Sequence, residues 1–190
     1  MAGLALTTAA CLAWRLRRGV TGYLKDAAAT LFLLAYVALL GGSLLLLLLA
    51  TDGPAKIGFF ILVIVGSDTG GYVAGVFFGR HQMAPTISAA KSWEGALGSL
   101  ILAPVAGLVV VAVAFPVPWW QAVIAAEIIA VAGMLGDLAE SAVKRDLGIK
   151  DLGSVIPGHG GVMDRVDSYL LAAPVAWATL SVLTALAAHA

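Results

Sequence analysis

Residues 27–50 read AAATLFLLAYVALLGGSLLLLLLA, twenty-four consecutive positions without a charged side chain. An α-helix rises about 1.5 Å per residue, so roughly 20 apolar residues cross the ~30 Å hydrocarbon layer of a bilayer. This stretch therefore reads as a transmembrane helix. Working outward, residues 57–79, 95–115, 119–136 and 168–189 are apolar over comparable lengths and read the same way. The composition agrees: 61% of the 190 residues are hydrophobic, 12% are charged, and the mean hydropathy is +1.00. The fold expected is all-α, a polytopic transmembrane helix bundle of about five full spans plus a partial N-terminal span, forming a single domain over residues 1–190.

The partial span is residues 2–14, an apolar run followed by Arg15, Arg17 and Arg18. A signal peptide carries its basic residues ahead of the apolar run, so the order here is reversed. The segment reads instead as the tail of a transmembrane helix whose beginning lies outside this sequence. The single cysteine, Cys11, allows no internal disulfide and no cysteine metal site.

Charge placement gives the orientation. Ten of the eleven basic residues fall on alternate connections: Arg15, Arg17, Arg18 and Lys25, then Arg80 and Lys91, then Lys144, Arg145, Lys150 and Arg165. Only Lys56 lies opposite. The positive-inside bias makes the ten-residue side cytoplasmic in an inner membrane or its equivalent. The opposite connections, Thr51-Asp52-Gly53-Pro54 and Pro116-Val117-Pro118, are short turns, with Trp119 and Trp120 at the interface. Gly71, Gly75 and Gly79 recur every four residues and mark a face where another helix approaches closely.

One cytoplasmic connection, residues 137–167, is too long for a plain link, and such loops usually carry function. If Asp137 continues the preceding helix, Ser141, Lys144 and Arg145 share its face at spacings of four, seven and eight. Asp164 and Asp167, three apart, open the last span. Carboxylates gathered in this way suit Mg²⁺, which takes a few carboxylates together with water and phosphate. Pro157-Gly158-His159-Gly160-Gly161 offers backbone amides that can cradle phosphate oxygens, and the four cations complement a triphosphate.

Ser141-Ala-Val-Lys-Arg, Lys150-Asp151 and Pro157-Gly-His-Gly-Gly-Val-Met-Asp-Arg-Val-Asp167 together resemble the signature of the phosphatidate cytidylyltransferase (CDP-diacylglycerol synthase) family. A second block, Asp68-Thr-Gly-Gly-Tyr72, Gly75, Gly79-Arg80, Pro85, Ser88 and Lys91-Ser-Trp-Glu-Gly95, resembles that family's upstream region. Ser88-Ala89-Ala90-Lys91 departs from the more usual Ser-Pro-Lys-Lys, and the chain is short for the family. The resemblance implies transfer of CMP from CTP to phosphatidic acid, yielding CDP-diacylglycerol and pyrophosphate without a covalent enzyme intermediate.

By the same resemblance Asp137, Asp164 and Asp167 hold the metal, with a second, monovalent cation left open. Lys144, Arg145, Lys150, Asp151 and Arg165 join them as catalytic residues, and residues 137–167 form the cytoplasmic catalytic segment. Asp68, Lys91, Ser141, His159, Gly160 and Gly161 are expected to bind substrate, His159 in a structural or phosphate-contacting role. The partners expected are CTP, phosphatidic acid in the bilayer and a second copy of the chain, with no nucleic acid.

Two acids, Asp68 and Glu127, lie inside apolar spans, where a charge is costly. Asp68 is expected at the reaction cavity. Glu127 is expected to be protonated and hydrogen-bonded to another helix. Three rival readings stay open on sequence alone: a CTP-dependent cytidylyltransferase or kinase acting on another lipid of the polyprenol type, a transporter using the two intramembrane acids, and a non-catalytic membrane subunit.

Overall fold

The computed structural model describes residues 2–114, 117–153 and 161–188. Among them, five helical stretches are long and apolar enough to cross a bilayer: Tyr23–Leu49, Gly53–Phe78, Trp93–Val113, Trp119–Asp146 and Met163–Ala185. The protein is an integral membrane helix bundle. Ahead of the first span, α1 (Ala2–Arg15) ends in one 3₁₀ turn, Leu16–Arg18. The first span is composite, with α2 (Tyr23–Leu33) and α3 (Gly41–Leu49) joined through the π-helical segment Leu34–Leu40.

Glycine sets the distance between α4 (Gly53–Phe78) and α5 (Trp93–Val113). A Cβ placed on Gly70 would stand 2.3 Å from Gly98 O, and one on Gly98 would stand 2.4 Å from Gly70 O. The two backbones therefore touch, as small residues permit in lipid. Gly71, from the expected stripe, also faces α5, where a Cβ would meet Ser99 Oγ at 2.6 Å. The closest approach nevertheless belongs to the Gly66–Gly70 row beside that stripe. Ser99 Oγ donates to Ser67 O at 2.7 Å and adds a polar tie between the helices.

The core is built from large side chains of α4 against small ones of α6 (Trp119–Asp146) and α7 (Met163–Ala188). Phe59, Phe60, Val63 and Ile64 are buried among Ala125, Ala126 and Ile129 of α6 and Ala172, Ala173 and Ala176 of α7. Outward-facing Leu46, Leu49, Val105 and Val109 are exposed, as lipid-facing residues should be.

The structure differs from the sequence expectations in three places. Helix α6 runs ten residues past Gly136, so half of the long connection is helical and only residues 147–162 link α6 to α7. It stops where Gly148 takes φ 68°, with Ile149 N bonded to Lys144 O at 2.9 Å and Gly148 N to Arg145 O at 3.1 Å. These two bonds across a left-handed glycine form a Schellman stop. Between α4 and α5 the chain forms an antiparallel hairpin absent from the all-α expectation, β1 (Gln82–Ala84) against β2 (Ser88–Ser92). Pro85 follows Ala84 in its turn, which closes with Ile87 N on Ala84 O at 3.0 Å. The expected interhelical hydrogen bond of Glu127 does not occur among the described residues.

Candidate active site

A cavity of about 280 Å³ opens between the second half of α4, the stretch of α6 around Asp137, and the beginnings of α5 and α7. Each of these elements contributes polar groups. Asp68 comes from α4, Lys91 and Ser92 from the hairpin, Ser99 from α5, Asp137 from α6, and Asp167 from α7. The glycine contact between α4 and α5 brings Asp68 to this wall, and the helical continuation of α6 carries Asp137 to the other. Ser92 also caps α5, its hydroxyl accepting Gly95 N at 3.1 Å, so the hairpin is registered against the helix that follows.

Lys91 Nζ stands 2.7 Å from Asp137 Oδ2, and no well-angled hydrogen bond satisfies this buried ammonium. The second oxygen of Asp137 faces Ser141 Oγ at 3.4 Å. Asp167 Oδ1 accepts Ser168 N at 2.7 Å. Asp137 and Asp167 both act against Asp68, with Lys91 offsetting them, and at Asp167 the repulsion from Asp137 is offset by Lys144 together with Lys91. The result is an acid-rich chamber containing one lysine, suited to a cation–phosphate complex.

Beside the chamber lies a second ion cluster. Lys144 Nζ is 2.9 Å from both Glu140 Oε1 and Asp164 Oδ1. Asp164 Oδ2 also accepts Leu152 N at 2.9 Å and Gly161 N at 2.8 Å. The carboxylate therefore staples residues 152 and 161, the two feet of the glycine-rich segment. A Cβ on Gly161 would lie 2.9 Å from Gly153 N, so the feet meet backbone to backbone. Asp164 and Asp167 open α7 three residues apart, as the helical spacing expected. Asp167 lines the cavity and Asp164 holds the staple beside it.

Of the remaining sequence-selected residues, Arg145 donates from Nε to Ile87 O at 3.0 Å and ties α6 to the hairpin turn. Lys150, Asp151 and Arg165 are exposed outside the chamber. His159 and Gly160 lie outside the described residues. Sequence reasoning missed Glu140, which is 3% exposed; its only signal was the spacing of four to Lys144. It also missed Ser92 and Ser99. Among the described residues no three His, Cys, Asp or Glu side chains converge into a ready metal cage. Oxygen donors on the cavity still fit Mg²⁺, which is commonly held by one or two carboxylates, with water and substrate phosphate completing its shell.

The pattern of the Cytidylyltransferase family matches residues 1–183, a span that holds every group described above. The chain belongs to this family. It is 42% identical to the phosphatidate cytidylyltransferase of Mycobacterium leprae over 96% of this chain and 64% of that protein. The corresponding Mycobacterium bovis protein is 39% identical over the same shares. The Staphylococcus saprophyticus phosphatidate cytidylyltransferase is 40% identical over 79% of this chain and 57% of its own length. The chain thus spans a little under two thirds of these cytidylyltransferases.

Proposed function

We propose that this chain transfers CMP from CTP to phosphatidic acid. An oxygen of the lipid phosphate forms a bond to the α-phosphorus of CTP while the bond from that phosphorus to the β-phosphate bridge breaks. Pyrophosphate leaves and CDP-diacylglycerol remains in the bilayer. The observation that carries this reading is the polar chamber itself, with Asp68, Asp137 and Asp167 around Lys91 at one end of a membrane bundle. A chamber at that depth lets a soluble nucleotide meet a headgroup whose acyl chains stay in lipid. Transfer of this kind asks the protein mainly to position reactants and neutralise charge, and such groups are what the chamber offers.

Lys91 reaches the phosphates from the hairpin side. Lys144, held between two carboxylates, offers its remaining N–H capacity at the edge. Ser92, whose hydroxyl accepts Gly95 N, keeps its own O–H to donate to an oxygen ligand. Asp137 and Asp167 would hold Mg²⁺, with a further carboxylate from Asp164 or Asp68. When bound, the ion supplies charge neutralisation at the phosphates. The chamber faces the cytoplasm in this reading, consistent with ten of eleven basic residues on that side.

Purified full chain is incubated with phosphatidic acid vesicles, Mg²⁺ and CTP labelled either in the cytidine or at the γ-phosphate. Cytidine label entering lipid, with pyrophosphate released only when phosphatidic acid is present, is the expected result. Movement of the γ-label into lipid would identify a kinase and overturn the proposal. Transfer to a polyprenyl phosphate in place of phosphatidic acid would overturn the substrate.

A further inference from the structure

Lys91 reaches Asp137 from an irregular part of the hairpin. The strands pair at Gln82 with Ser92 and at Ala84 with Ser88. Between those pairs β1 has one residue, Met83, whereas β2 has three, Ala89, Ala90 and Lys91. A bulge of this kind takes residues out of the ladder and re-aims their side chains. Lys91 is the bulged residue next to the Ser92 pair, so its aim depends on how firmly the base of the hairpin is held. Gln82 Nε2 donates across the bulge to Ala89 O at 3.3 Å, a tie that ends two residues short of Lys91.

Glu94 holds that base. It lies in the first turn of α5, just after the Ser92 cap, where a carboxylate also suits the positive end of the helix. Its Oε2 accepts both Arg80 N and His81 N, each at 3.2 Å, and its Oε1 meets His81 Nδ1 at 2.6 Å. Trp93 N closes the same base by donating to His81 O at 3.0 Å. One side chain therefore fixes the two residues ahead of β1 against the helix that follows β2. The other end of the hairpin is held separately, by Arg145 on Ile87 O. Glu94 itself is not among the residues that line the cavity.

We propose that Glu94 is a positioning residue: it clamps residues 80 and 81 to the start of α5 and thereby aims Lys91, from its bulge, at Asp137 and the cavity. It acts through the lysine and does not touch the reacting atoms. The kinetic consequence rests on the CMP transfer proposed above; the aim of Lys91 does not.

The test begins without substrate, on the detergent-solubilised full chain in a Cys11→Ala background. Lys91→Cys places a thiol at the bulge, and its rate of reaction with a methanethiosulfonate reagent reads how closed that position is. Adding Glu94→Ala is expected to raise this rate about threefold or more, as local opening exposes the site. The thiol of Lys150→Cys, on the exposed connection between α6 and α7, should react at the same rate with and without Glu94→Ala. Initial rates of CMP transfer follow, with Lys91 in place. Glu94→Ala is expected to lower kcat/KM for CTP roughly three- to tenfold, the range of one lost hydrogen bond. Glu94→Gln, whose amide oxygen still accepts Arg80 N and His81 N, should recover most of that loss. In a Lys91→Met background Glu94→Ala should cost nothing further.

An unchanged labelling rate at position 91 overturns the clamp, and so does an equal rise at positions 91 and 150, which marks general loosening. A Glu94→Ala loss that persists in full beside Lys91→Met overturns action through the lysine. A wild-type chain that transfers no CMP overturns the proposed function and leaves the labelling to judge the clamp. Should Glu94→Ala fail to fold, Glu94→Asp takes its place, because it withdraws the carboxylate by one methylene while keeping the charge in the first turn.

Discussion

Lys91 Nζ and Asp137 Oδ2 lie 2.7 Å apart, a charge pair between the hairpin that precedes α5 and the continuation of α6. It joins the two sequence blocks that were read separately. The lysine also lines the cavity that Asp68 and Asp167 share with Asp137, so its removal takes a cation from a wall that carries three acids. Lys91→Met is expected to lower kcat/KM for CTP by about 10- to 100-fold, the span of a charged hydrogen bond. Lys91→Arg, which keeps the cation, should recover much of that loss. Steady-state rates at varied CTP check this, and Lys91→Met at wild-type efficiency would remove the lysine from the site.

The two aspartates of α7 should separate by phenotype. Asp167→Asn and Asp137→Asn act on the cavity, and each is expected to raise the Mg²⁺ concentration for half-maximal rate by about tenfold or more. Asp164→Asn additionally breaks the staple through Leu152 N, Gly161 N and Lys144. Unpairing a buried ion pair costs on the order of 3 kcal/mol, so this variant alone should melt well below wild type. Thermal midpoints measured alongside Mg²⁺ titrations make the comparison. Equal midpoints in all three variants would show that Asp164 does not hold the loop.

Much of this architecture was legible because lipid imposes a simple rule on sequence. Length and hydropathy located all five spans. They placed the end of the fourth too early, because hydropathy drops after Gly136 while the helical phase of Asp137, Ser141, Lys144 and Arg145 continues. Gly148 marks the true stop. The hairpin was not legible, since Gln82 to Ser92 is short and rich in Ala and Ser. Its pairing is anchored from outside, by Glu94 on His81 Nδ1 at 2.6 Å and by Arg145 on Ile87 O. Asp68 could be suspected because an intramembrane acid is costly. Glu140 gave no comparable signal beyond its spacing of four to Lys144.

Orientation can be tested directly. In a Cys11→Ala background, Lys150→Cys places a single exposed thiol on the connection between α6 and α7. An impermeant maleimide should leave it unlabelled in intact cells and label it once the membrane is opened. Labelling in sealed cells would reverse the topology and remove the site from cytoplasmic CTP.

The final prediction concerns the helix contact that carries Asp68 to the cavity. A Cβ on Gly98 would stand 2.4 Å from both Gly70 O and Ala74 Cβ, and one on Gly70 would stand 2.3 Å from Gly98 O. Neither neighbour can yield, because the clashing atoms are backbone or short side chain. At Gly75 the nearest atoms are Ser92 Oγ at 3.7 Å and Gly95 Cα at 3.9 Å, which is ordinary contact. Gly98→Ala must therefore push α4 and α5 apart, whereas Gly75→Ala fits as the chain stands. Overpacking of this kind typically costs about 1–3 kcal/mol, and the added separation also shifts Asp68 from Asp137. Gly98→Ala is expected to lower both the thermal midpoint and kcat, while Gly75→Ala leaves the midpoint close to wild type. Gly75→Leu, whose longer side chain must displace Ser92 or Gly95, should resemble Gly98→Ala. Wild-type midpoint and turnover in Gly98→Ala would show that this glycine contact does not set the geometry of the chamber.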